Sequence, residues 1–111
     1  MTEERIGRAG DDRFQVKGDM IFSTVRELLA ESKPLFQNIR DLQLDLSGVN
    51  RTDSAGLALL LEWIREAEMK GGELAIRGIP ESLLAIARLS HVDEMLRPHV
   101  VTDDKSREKK T

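Results

Sequence analysis

The chain contains no cysteine and no tyrosine, one tryptophan and three phenylalanines. Without cysteine there is no disulfide framework, no thiolate metal site and no cysteine nucleophile. No apolar run is longer than Leu57–Leu61, far short of the roughly 20 residues that a membrane span needs. The opening residues Met1-Thr2-Glu3-Glu4-Arg5 are polar and lack the apolar core of a signal peptide, so a cytoplasmic protein is expected. Neither sign of charge dominates: 17 Lys and Arg stand against 20 Asp and Glu, for a net charge of −3. That balance argues against a general nucleic-acid binder. The phosphate-cradling patterns G-x-x-x-x-G-K-[ST] and G-x-G-x-x-G are missing, as are the G-x-S-x-G elbow and H-E-x-x-H. The two histidines, His91 and His99, have no third ligand spaced for a metal.

What is present is a chain of 111 residues, 40% apolar and 33% charged, which fits one globular domain. The domain is expected over residues 1–101. Residues 102–111 are charged or polar and without periodicity, and read as a disordered, solvated tail.

Hydrophobic spacing divides the domain into elements. Phe14 and Val16 alternate with Arg13, Gln15 and Lys17, the period of a half-buried strand. Asp11-Asp12 makes a turn from a shorter strand at Ile6. Val25, Leu28 and Leu29 give a helical stripe from Ser23, with Ser23 or Thr24 as cap and Thr24 with Glu27 as a capping box. Pro34 is expected to end or kink that helix. Asp41–Leu46 alternates strictly as a strand, closed by Ser47-Gly48-Val49-Asn50. A second helix runs from Asp53-Ser54 to about Lys70, with Leu57, Leu60, Leu61, Ile64 and Ala67 on one face. Gly71-Gly72 stops it. Glu73–Ile79 alternates again. Pro80 opens a third helix with Leu83, Ile86, Ala87 and Leu89 inward, ending near Ser90-His91. A short turn at Asp93–Leu96 is stopped by Pro98. This alternation predicts an α/β fold with a helix-covered sheet.

One segment stands apart: Asp45-Leu46-Ser47-Gly48-Val49-Asn50-Arg51-Thr52-Asp53-Ser54-Ala55-Gly56-Leu57-Ala58-Leu59-Leu60-Leu61. A strand exits into a loop that delivers Asp53 and Ser54 to a helix start, where either side chain can cap free N–H groups. Ala55 and Gly56 leave the first turn thin, so a partner's backbone can approach there.

This stretch resembles the signature of STAS domains, the family of anti-sigma factor antagonists. Gly18–Val25, Gly71-Gly72 and Gly78–Ser90 extend the likeness. Within the family, the run L-A-L-L-L-E-W-I most resembles the cytoplasmic subunits of ABC transporters that move phospholipids between the membranes of Gram-negative bacteria. The resemblance implies a mixed four- to five-stranded sheet with three to four helices mainly on one face. It implies protein binding without catalysis and without a cofactor. The implied partner is an ABC transporter ATPase subunit, in a complex with permease and substrate-binding subunits. The domain would then support or regulate the ATPase and help maintain outer-membrane lipid asymmetry. It would lie at the inner membrane through its partner, without inserting. The alternative is an anti-sigma factor antagonist controlled by phosphorylation. The docking hydroxyl of the first branch and the phosphorylated serine of the second both map onto Ser54.

Helical geometry adds candidates. With Leu57, Leu60, Leu61 and Ile64 inward, Ala55, Leu59 and Glu62 point away, flanked by Ala58 and Trp63. Leu59 and Trp63 are i, i+4 neighbours and are expected to form an exposed patch rimmed by Glu62, Arg65 and Glu66. Spacing alone weighs this equally with a tryptophan wrapping the domain edge, and the resemblance favours the interface. The expected partner-binding set is Asp53, Ser54, Ala55, Gly56, Ala58, Leu59, Glu62 and Trp63, with a contribution from Asp19–Phe22.

Overall fold

Five strands form one sheet, ordered in space as they are along the chain. The computed structural model describes residues 5–101. Strand β1 (Ile6–Arg8) and β2 (Arg13–Met20) form an antiparallel hairpin, and β3 (Asp41–Thr52), β4 (Glu73–Arg77) and β5 (Val100–Val101) follow in parallel pairing. The connections are α1 (Phe22–Phe36), α2 (Ser54–Met69), α3 (Glu81–Leu89) and α4 (Asp93–Leu96), the last followed by a 3-10 turn at Arg97–His99. The expected mixed sheet with four helices is therefore found.

Alternation decides which face is covered. Phe14 and Val16, Leu42, Leu44 and Leu46, and Leu74 and Ile76 are buried under the helices. Their neighbours Arg13, Gln15, Lys17, Asp41, Glu73 and Arg77 are exposed on the other face. The one-directional strand order provides no reversal of winding, the place where open α/β sheets form a ligand crevice.

Several boundaries differ from expectation. β3 does not close at Ser47 but runs on to Thr52. Ser47 and Gly48 are exposed in succession before Val49 turns inward, and the pairing shifts from Gln15↔Asp45 to Lys17↔Gly48. A bulge of this kind breaks strict alternation without ending the strand. Pro34 lies inside α1, in its last turn. Phe36 stays helical because its ring packs edge-on between Phe14 (centroids 5.1 Å) and Trp63 (5.7 Å). Neither Ser23 nor Thr24 is the α1 cap: Ile21 is, and Thr24 is the third helical residue, its hydroxyl accepting the Ile21 N–H at 3.0 Å. Glu27 takes no part in a box and pairs with Arg5. Leu89 is 82% exposed rather than inward, because α3 turns only Leu83 and Ala87 fully into the core. Gly71 stops α2 with φ +80°, as expected of a left-handed stop.

Candidate functional site

Asp53 organises the end of the molecule where the strands deliver α1 and α2. It is the N-cap of α2, and its Oδ1 accepts N–H groups from Ala55 (2.9 Å) and Gly56 (3.1 Å). Its Oδ2 accepts the first N–H of α1, from Phe22, at 3.0 Å. One carboxylate thus caps two helices. Burial pushes its pKa up, but the N–H groups of Phe22, Gly56 and Ala55 outweigh this and hold it below the usual aspartate value. Beside it, Asp19 holds Arg51 through the backbone N–H (3.1 Å) and the guanidinium (3.3 Å), fixing the ends of β2 and β3 together.

Ser54 is the first helical residue, not the cap. It is exposed, and among the described residues its hydroxyl has no hydrogen-bond partner. Gly56 is buried for a reason the sequence did not expose. A Cβ there would fall on the Met20 carbonyl oxygen. The close backbone approach is therefore made by this chain's own β2, and Gly56 offers no surface to a partner.

The expected Leu59–Trp63 patch is absent. Trp63 is 1% exposed and Leu59 5%. The Trp63 indole N–H donates to buried Ser32 at 2.9 Å. A wheel with one inward face misses this, because α2 packs on the sheet, on α1 and on α3.

In its place lies a groove between α1 and α2. Phe22–Asp53, Ser32–Trp63 and Lys33–Glu66 contacts keep a nearly constant offset along both helices, so the two run parallel. In their second half Phe36 and Trp63 fill the interface. In the first half α2 offers only Ala55, Gly56 and Ala58 beside Leu59, and the gap stays open. The groove measures 740 Å³. Its α1 wall is Phe22, Ser23, Val25, Arg26, Glu27 and Leu29; its α2 wall is Ala55, Ala58, Leu59 and Glu62. Phe22, 81% exposed, stands at the rim. Four of the expected site residues (Ala55, Ala58, Leu59 and Glu62) therefore line one depression next to Ser54. Glu62 is bound at both oxygens by Arg65 (2.6 and 3.0 Å). That hydrogen bonding, with the charge of Arg65, holds its carboxyl below the usual range. The Phe22 side of the groove lies at the β2–α1 junction, within the expected Asp19–Phe22 stretch, while Val25 and Leu29 were legible only as core positions.

Among the described residues no group of three or more His, Cys, Asp or Glu is arranged to hold a metal, and no helix is long and apolar enough to cross a membrane. This end of the molecule thus combines a one-sided α/β sheet with a shallow apolar groove beside a capped helix start. A family model described as "Mlab, STAS domain" matches residues 6–98, and the chain belongs to this STAS domain family. Over 55 residues, half of this chain, it is 34% identical to the intermembrane phospholipid transport system binding protein MlaB of Escherichia coli (strain K12). The MlaB of Shigella flexneri matches equally. These matches span 57% of the relatives' length. Among solved structures, a putative anti-sigma factor antagonist from Thermotoga maritima superposes with a TM-score of 0.70 at 18% identity, covering 92% of this chain and 90% of that one. The phosphorylated Bacillus cell fate determinant SpoIIAA gives 0.63 at 16% identity, covering 94% and 96%. At these identities the likeness concerns the fold.

Proposed function

We propose that this chain is a non-catalytic subunit that docks on the ATPase of an Mla-type ABC transporter, in the cytoplasm, together with permease and substrate-binding subunits. There it supports or regulates the ATPase in the service of outer-membrane lipid asymmetry. The observation that carries the reading is the open apolar groove next to the exposed Ser54. Covering Phe22, Val25 and Ala58 removes apolar surface from water at a site already shaped for contact. The identity with MlaB supports the choice of partner. Such binding changes ATPase behaviour only where it favours one state of the ATPase over another.

The test is co-purification with the Mla-type ATPase subunit of the same organism. Ser54→Arg and Ala58→Trp place bulk on the face without touching the core, and each is expected to abolish the complex while the domain keeps its thermal transition. A complex that survives both substitutions overturns the reading.

The second reading is a phosphorylation-controlled anti-sigma factor antagonist. The unpartnered, exposed Ser54 hydroxyl favours it. A phosphate there would meet the positive end of α2 but also the Asp53 carboxylate. Intact-mass analysis after incubation with the organism's serine kinases and ATP separates the two. A stoichiometric phosphate on Ser54 that releases a sigma-regulator complex reverses the ranking.

A further inference from the structure

We infer that the α1/α2 groove takes a single amphipathic helix of the ATPase subunit, with a carboxylate of that helix set against Arg26. The inference rests on the docking role proposed above and adds the chemistry of the occupant.

The shape of the walls supports a helix. Phe22, Val25, Arg26 and Leu29 sit at i, i+3, i+4 and i+7 on α1; Ala55, Ala58, Leu59 and Glu62 repeat that spacing on α2. Each wall is therefore one helical stripe, and among the described residues no third helix fills the groove between them. The small side chains of Ala55 and Ala58 let another backbone come near. A helix laid in such a groove is anchored by its own apolar residues at i, i+3 or i+4, and i+7.

Charge decides which helix. Three charged side chains line the groove: Arg26, Glu27 and Glu62. Both acids are already matched from outside it. Glu27 binds Arg5 at 2.6 Å, and Glu62 is held by the fork of Arg65. Arg26 is exposed, and among the described residues it has no partner. The groove thus presents one uncompensated guanidinium among apolar side chains. A covering helix that placed a neutral or basic residue there would strand that charge in a half-dry contact. A carboxylate would meet it with a charge-assisted, bidentate hydrogen bond. Glu62 does not make the opposite demand for a basic helix, since Arg65 occupies both its oxygens.

The experiment measures affinity of the full chain for the Mla-type ATPase subunit of the same organism. Arg26→Glu is expected to weaken binding by about tenfold or more, while Arg26→Lys, which keeps the charge but loses the bidentate fork, falls between Arg26→Glu and wild type. Arg26 is exposed, so both variants should keep the wild-type thermal transition. Hydrogen exchange on the ATPase, alone and in complex, locates the protected helix. Reversing its acidic residue to lysine is expected to restore binding to Arg26→Glu. Ala58→Trp, which fills the groove, separates two failures. Loss of binding with Ala58→Trp but wild-type affinity with Arg26→Glu overturns the Arg26 assignment and leaves the docking role standing. Unchanged binding with Ala58→Trp overturns the groove as the docking site and the Arg26 assignment with it; if Ser54→Arg also binds as wild type, or the wild-type chain does not bind, the docking role falls as well.

Discussion

The Asp53 carboxylate accepts three backbone N–H groups from two helices, so removing it uncovers donors at both helix starts. Asp53→Ala is expected to cost about 1–2 kcal/mol at pH 7, read from urea unfolding. The pH dependence has a definite sign. Because folding lowers the pKa of Asp53, its contribution is complete above the unfolded-state value. It is lost as pH falls through the lower folded-state value. The stability gap between wild type and Asp53→Ala should therefore be widest at neutral pH and close as pH drops below about 4. The D-S pair announced a helix start in the sequence, but not which residue caps it, nor that the cap would reach across to Phe22. That contact joins residues 31 positions apart and has no local signal. Gly56 was similarly half-legible. Its need for a missing side chain was plain, yet the neighbour requiring it was this chain's Met20 rather than a partner.

Elements were read better than the faces they hide. The order of elements through α3 followed from periods of two and 3.6; of the expected stripe, Leu57, Leu60, Ile64 and Ala67 are buried and Leu61 is half-buried. Leu59 and Trp63 fall outside the inward stripe of a helical wheel because the wheel assumes one burying partner, whereas α2 packs on the sheet, α1 and α3. The end of β3 was misread because a bulge puts Ser47 and Gly48 outward in succession. The burial of Trp63 is testable as stability. Trp63→Ala should cost about 3–5 kcal/mol, the range for a large buried aromatic. Ser32→Ala should cost about 1–3 kcal/mol, because it leaves the buried indole N–H unpaired. An exposed tryptophan would lose almost nothing on truncation. Chemical denaturation of both variants decides the matter.

Across the whole molecule, the sheet ends on a short strand. β5 has two residues, paired to Ile76 and Arg77, and little in the sequence marks it beyond two valines after a proline. What holds it is the segment before it. Leu96 is fully buried, and the His99 imidazole Nδ1 lies 2.9 Å from the Leu74 carbonyl oxygen. Leu96→Ala should cost about 2–5 kcal/mol and raise amide exchange at Val100 and Val101 before it does so in β2 and β3. Uniform loss of protection across all five strands would show that β5 is part of one cooperative unit instead. The architecture was legible at this scale because each helix returns the chain to a neighbouring parallel strand. The groove was not, since it depends on the contrast between Ala55 and Ala58 at one end of a helix pair and Phe36 and Trp63 at the other.

The two walls of that groove are pinned at both ends, by Asp53 where the helices begin and by the Ser32–Trp63 and Phe36–Trp63 contacts further along. A receptor surface fixed in this way loses little conformational entropy when it is covered. Most of the ordering cost of association then falls on the incoming segment. Affinities within a series of candidate segments with equal apolar area should rise with the helical content each already has in solution.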